Sequence, residues 1–258
     1  MSTSPPSSFD QAWQFYHRGE YAEVVGKLQP RSEELSAEEL QLLGLALHDL
    51  GRPLEAADAI EKASLICPVS DEVRIALASC YAQLRRTDLA RELYLQLALS
   101  RKLPPALMLR IAAGLEAIDA PQLAMQVCEW ITEQDDSIAQ AYYDMGRYAA
   151  CAGQPLYITE VLTIRALQLE PQNVQFRVGL VSLLIQLRRD DEAIRELLLL
   201  SRSDLQQVRC FSCLERIAEM LQRHGHTALA RDCRAQVARL RSVDRNDPPT
   251  NIHREAKQ

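Results

Sequence analysis

Apolar residues recur along this chain at the three- and four-residue spacing of a helix with one buried face. Leu40, Leu43-Gly44 and Leu47 mark one such stripe, Ala56, Ile60 and Ala63 a second, and Pro68 closes the pair. Counting on by 34 residues brings Leu77-Ala78, Tyr81, Ala90 and Tyr94. The same step again brings Ile111-Ala112, Leu115, Ala124 and Cys128. Tyr142, Met145-Gly146 and Gly153 keep phase, whereas Ala166 and Pro171 come one residue late, which places an insertion around Gln154–Ile158. Leu180, Ala193 and Leu197 continue in the shifted phase, and Ile217-Ala218, Leu221, Gly225 and Ala230 follow three residues later still. Upstream, Phe15, Gly19 and Tyr21 suggest a degenerate first unit ending at Pro30.

The punctuation has physical reasons. Gly51, Gly153 and Gly225 stand where a helix C-cap needs a left-handed residue, and Pro53, Pro121 and Pro155 fall in the first turn of the next helix, where a missing N–H costs nothing. Ser8…Gln11, Ser36…Glu39 and Ser137…Gln140 have capping-box spacing. Gly44, Ala78, Ala112, Gly146 and Ala218 on first helices, and Ala56, Ala90, Ala124, Ala193 and Ala230 on second helices, would let paired helices approach closely. The pattern predicts an all-α chain of helical hairpins at 8–30, 37–68, 71–101, 105–134, 138–169, 173–201 and 205–242, the last opening with a long helix from Leu205 to His224. Residues 1–7 and 245–258 carry no such pattern and are expected to be disordered, leaving one repeat domain over 8–244.

The spacing of Leu40, Leu43-Gly44, Leu47, Ala56, Ile60, Ala63 and Pro68 resembles the tetratricopeptide repeat, W-x2-L-G-x2-Y…A-x3-F…P, with aliphatic residues in place of aromatic ones. The resemblance spans about residues 8 to 242, although the tryptophan landmark is replaced by Leu40, Arg74, Met108, Tyr142, Arg177 and Leu214. It implies a right-handed superhelical solenoid of about seven antiparallel hairpins whose first helices line an inner groove. It also implies binding of peptides or partner helices there.

Composition changes this picture little. The chain has 258 residues, 47% hydrophobic, 25% charged and only 5% aromatic, ordinary for a folded helical protein. The net charge of −6 argues against general nucleic-acid binding. The charge is uneven, with 11 acids and 5 bases in residues 1–70 but 7 acids and 11 bases in 201–258. Solvated helix faces account for such a gradient. No apolar run has the length of a membrane span, and residues 1–8 lack the pattern of a secretory leader. Seven scattered cysteines fit a reduced, cytoplasmic setting, and the bias of 25 Arg to 4 Lys hints at a bacterial source.

No phosphate loop, GxSxG, HExxH or EF-hand pattern is present, so neither catalysis nor a cofactor is expected. Cys210-Phe-Ser-Cys213 with His224, His226 and Cys233 could supply a zinc site. The pair lies one turn apart inside a predicted helix beside the stripe Leu214, Ile217 and Leu221, so core packing is expected instead of metal, with a redox role as the remaining alternative. Trp13, Phe15, Tyr16 and Tyr21 are expected to cover the apolar end of the array, with an exposed docking patch as the alternative. The pairs Arg85-Arg86 and Arg188-Arg189 read as helix-terminal charges.

If the family geometry holds, the groove positions are Leu42, Leu45, Ile75, Ser79, Leu109, Arg110, Tyr143, Arg147, Val178 and Ser182. The groove lacks the Lys and Asn with which some tetratricopeptide domains clamp a chaperone's terminal carboxylate. Its aliphatic residues, with Arg110 and Arg147, suit an amphipathic protein segment with an acidic flank. The expected function is therefore a non-catalytic scaffold, adaptor or chaperone, binding neither nucleic acid nor membrane. The alternatives are a regulatory subunit of an enzyme or of a secretion or envelope-assembly complex, and self-assembly through the chain ends.

Overall fold

A computed structural model describes residues 8–244, and every regular element among them is a helix. The expectations for 1–7 and 245–258 lie outside the described residues. Contacts divide the chain into two units, the first running to Val127 and the second beginning at Cys128. The first unit holds α1 (Ser8–His17), α2 (Tyr21–Leu28), α3 (Ala37–Asp49), α4 (Pro53–Ile66), α5 (Asp71–Gln83), α6 (Thr87–Leu99) and α7 (Pro105–Ala117). α8 (Pro121–Gln134) carries the boundary. The second unit holds α9 (Ala139–Cys151), α10 (Leu156–Leu169), α11 (Val174–Gln186), α12 (Asp190–Leu197), α13 (Arg202–Gln207), α14 (Phe211–Arg223) and α15 (Thr227–Asp244).

One turn organises both units. Gly51 adopts φ 71°, its N–H donates to the His48 carbonyl at 2.9 Å, and the Arg52 N–H donates to Leu47 O at 2.9 Å. This is the Schellman closure, which satisfies the last carbonyls of α3 and reverses the chain into α4. The same pair of bonds recurs around Gly19, Arg85, Asp119, Gly153, Arg188 and Gly225, all at positive φ. Gly51, Arg85, Asp119 and Gly153 fall 34 residues apart, Arg188 follows after 35 and Gly225 after 37. Arg85 and Arg188 are thus held in a conformation that L-residues adopt at a cost.

The hairpins close on small residues. Ala56, Ala90, Ala124, Ala193 and Ala230 are fully buried. A side chain on Gly44 would place its Cβ 2.5 Å from Ile60 Cγ1 and 3.3 Å from the Ala56 carbonyl oxygen, so α3 and α4 touch nearly backbone to backbone. Thr159 and Thr163 are buried in α10 without penalty: Thr159 donates to the Gly146 carbonyl at 3.0 Å and Thr163 to the Thr159 carbonyl at 2.7 Å.

Several local expectations need correction. Ser36 and Glu39 form the capping box of α3, but Ser137 does not cap α9; its N–H and hydroxyl donate to Asp135 Oδ1 at 2.9 and 2.6 Å, and Ile138 takes the cap position. Ser8 already lies inside α1. Pro155 is the residue before α10, not its first residue like Pro53 and Pro121, which is where the inserted residue is absorbed. The predicted long helix from Leu205 to His224 is two helices. α13 starts at a Ser201–Asp204 capping box and stops at Val208, which is extended (φ −65°, ψ 125°) and fully buried. The chain then restarts at Cys210, whose sulfur accepts the Cys213 N–H at 3.3 Å and caps α14.

Candidate interaction surfaces on the first helices

In the first unit α1 packs on α3, α3 on α5 and α5 on α7, so the leading helix of each hairpin lies beside the next. The face of each that meets its neighbour is therefore buried. Leu42 is 1% exposed and Ile75 3%, which makes both packing residues. Leu45, Ser79 and Leu109 are half-buried, and Arg110 is exposed.

A polar seam crosses these helices. Tyr16 on α1 donates to Asp49 Oδ2 at 3.0 Å. Asp49 Oδ1 lies 3.0 Å from His48 Nδ1, and His48 Nε2 lies 3.1 Å from Ser79 Oγ on α5. Gln83 donates to the same hydroxyl at 3.4 Å. Burial alone would raise the Asp49 carboxyl, but hydrogen bonds from His48 and Tyr16, with Arg110 in electrostatic reach, bring it below the ordinary aspartate value. Burial, followed by the Asp49 charge, pushes the Tyr16 phenol up.

The order Ser79–His48–Asp49 has the connectivity of a nucleophile, base and orienting carboxylate. Ser79 sits deep within α5, where backbone N–H groups are committed to helical bonds. The α5 amides nearest its hydroxyl are therefore not free to hold an oxyanion. As a chain of hydrogen bonds the seam ties three hairpins together.

In the second unit Tyr143 on α9 is half-buried, stacked on Phe176 at 4.7 Å, with its hydroxyl end against Gly179 of α11. Val178 is 2% exposed and Ser182 5%; Val178 belongs to the core, and Ser182 accepts from Arg216 Nη1 at 2.6 Å. Neither offers an open surface. Arg147 is exposed, 3.8 Å from Asp144 Oδ1 and 5.5 Å from the Tyr148 ring, so it already has partners.

The two units thus hold the predicted groove residues in two states. Arg110 and Arg147 are exposed and Leu45, Ser79, Leu109 and Tyr143 half-buried, while Leu42, Ile75, Val178 and Ser182 are buried. Sequence reasoning missed the seam through Asp49 and Tyr16, because neither follows the repeat spacing of the groove positions. It also missed an apolar stripe on α10, where Tyr157, Val161 and Ile164 are 64%, 62% and 38% exposed at helical spacing. On α1 the rings of Phe9, Trp13 and Tyr16 stack in succession, with Trp13 44% exposed.

Among the described residues, no group of three or more His, Cys, Asp or Glu side chains could hold a metal ion. No described helix is long and apolar enough to cross a membrane.

No family model matches the chain, and neither does any curated protein sequence. Solved structures do. A tetratricopeptide repeat protein from Parabacteroides merdae superposes with a TM-score of 0.64 at 14% identity, over 93% of this chain and 98% of that one. PilF from Pseudomonas aeruginosa gives 0.60 at 18% identity, over 79% and 91%. MamA from Desulfovibrio magneticus RS-1 gives 0.52 at 19% identity, over 62% and 90%. At these identities the likeness establishes the fold, an all-α array of tetratricopeptide-type helical hairpins.

Proposed function

We propose that this tetratricopeptide-type chain is a non-catalytic protein-interaction module that holds a segment of another protein on the open face of its first helices. The observation that carries the reading is the side-by-side packing of α3, α5 and α7, which assembles Leu45, Ser79, Leu109 and Arg110 on successive helices of one unit. Such a surface offers apolar contact with one exposed guanidinium, and it suits an amphipathic segment bearing a carboxylate. The second unit, taken by itself, offers Tyr143 and Arg147 on α9, where Arg147 would have to exchange Asp144 for a partner carboxylate.

The test is a titration of a partner recovered by pull-down against wild-type, Arg110→Glu and Arg147→Glu protein. Arg110→Glu is expected to weaken binding about tenfold or more, about 1.4 kcal/mol, with unchanged helicity. Arg147→Glu is expected to do less, because the arginine gives up an existing ion pair to bind. Unchanged affinity for both variants would move the interaction to another surface, of which the exposed α10 stripe is the first to examine. A serine-reactive fluorophosphonate separates the module from a hydrolase; labelling of Ser79 would contradict the non-catalytic reading.

A further inference from the structure

Cys210 and Cys213 pack against the core of the second unit, as expected, and they also shape the start of α14. Cys210 occupies the N-cap of α14 and Cys213 the third position of its first turn, where a backbone N–H has no helical acceptor. The Cys210 sulfur takes that bond, from the Cys213 N–H at 3.3 Å, and lies 3.3 Å from Ser212 Oγ. Both residues are half-buried, whereas Cys80, Cys128 and Cys233 are buried. Residues three apart at the start of a helix have Cα atoms about 5 Å apart, within the span a disulfide bridges.

We propose that Cys210 and Cys213 form a thiol–disulfide exchange site, with Cys210 as the attacking thiol, Cys213 as the resolving thiol and an accessible disulfide as the substrate. The Cys210 thiolate attacks one sulfur of RS–SR. The substrate S–S bond breaks, a Cys210–SR mixed disulfide forms, and RS⁻ leaves and takes up a proton. Cys213 then loses its proton to solvent and attacks the Cys210 sulfur, releasing the second RS⁻. The protein is oxidised by two electrons to a Cys210–Cys213 disulfide, and RS–SR is reduced to two RSH.

The surroundings favour a charged sulfur at Cys210 and a protonated one at Cys213. Hydrogen bonds to Cys210, first from the Cys213 thiol and then from Ser212 and the Cys213 N–H, outweigh burial and hold its pKa well below the ordinary thiol value. Arg216, on the same helix, adds to this. Cys213 is pushed up by its bond to Cys210 and by burial. Ser182 on α11, which accepts from Arg216, and the Tyr143 phenol on α9 are the neighbours from the packed helices. A depressed pKa beside a second thiol is the arrangement in which exchange proceeds at neutral pH.

The experiment treats the reduced full-length protein with glutathione disulfide and follows each cysteine by peptide mass spectrometry. In the wild type, Cys210 and Cys213 are expected to lose two hydrogens together, with two glutathiones released and no lasting adduct. In Cys213→Ser, glutathione should remain on Cys210. In Cys210→Ser, whose serine keeps the cap of α14, Cys213 should stay reduced. Cys151, which is exposed, is the internal control, and Cys210 should react about tenfold faster or more at neutral pH. Three results overturn the proposal: a lasting glutathione adduct in the wild type, a disulfide joining Cys210 to any other cysteine, or a Cys210 rate no greater than that of Cys151. Circular dichroism of each variant separates loss of the site from loss of the fold.

Discussion

The close approach of α3 to α4 at Gly44 gives a quantitative test of the packing. A Cβ on Gly44 would lie 2.5 Å from Ile60 Cγ1 and 3.2 Å from its Cδ1. Ile60 is fully buried, and a β-branched side chain in a helix has essentially one χ1 rotamer, so it cannot swing aside. Gly44→Ala gains about 1 kcal/mol of helix propensity but incurs overpacking of about 1–3 kcal/mol. The net effect is expected between neutral and about 2 kcal/mol destabilising. Ile60→Ala removes the obstructing atoms and leaves a cavity, at about 2–5 kcal/mol. In the double variant the new methyl enters that cavity and the overlap is gone, so the Gly44→Ala step becomes stabilising by about 1 kcal/mol from propensity alone. The cycle should therefore show a coupling of about 1–3 kcal/mol in favour of the pair. Urea unfolding by far-UV circular dichroism measures it, with amide exchange in α3 and α4 as the local readout, since repeat arrays need not unfold in one step. Additivity within about 0.5 kcal/mol would refute the close approach.

Two further outcomes follow from the turns and the seam. Arg188 is held at φ 61° in the turn where Gly51, Gly153 and Gly225 also stand, so Arg188→Gly should stabilise by about 0.5–1 kcal/mol and raise the melting temperature; a lower one would contradict the strain argument. The folded pKa of Asp49 is depressed, so its contribution is present above the unfolded aspartate value and is lost as pH falls through the folded one. Asp49→Asn should lower stability at neutral pH and flatten its acid limb, and an acid limb identical to wild type would show that the seam carries no charge-linked stability.

The hairpin pattern was legible because it rests on local chemistry. The small residues Gly44, Ala56, Ala90 and Ala124 are buried where the 34-residue step placed them. The slips after Gly153 and Arg188 appear as turn intervals of 35 and 37 residues. The break before α14 was not legible, since Leu205, Val208 and Phe211 keep three-residue spacing across it and the cap is a sulfur in place of a hydroxyl. Among the groove positions, Leu42 and Leu45 are both leucines on α3, yet one is enclosed and the other half-buried. What separates them is how the neighbouring helices pack around α3, a tertiary fact that composition does not encode. The contact of His48 with Ser79, 31 residues away, depends in the same way on how far two side chains reach across neighbouring helices.

Site-specific photocrosslinking tests the interaction surface most directly. Benzoylphenylalanine would be placed at Leu45, Leu109 or Arg110 on first helices, and at Leu54 or Leu89, which are 62% and 46% exposed on second helices of the same unit. With the recovered partner, crosslinks are expected from the first-helix positions and not from Leu54 or Leu89. Crosslinks confined to Leu54 and Leu89, with the first-helix positions silent and the protein folded, would contradict the account.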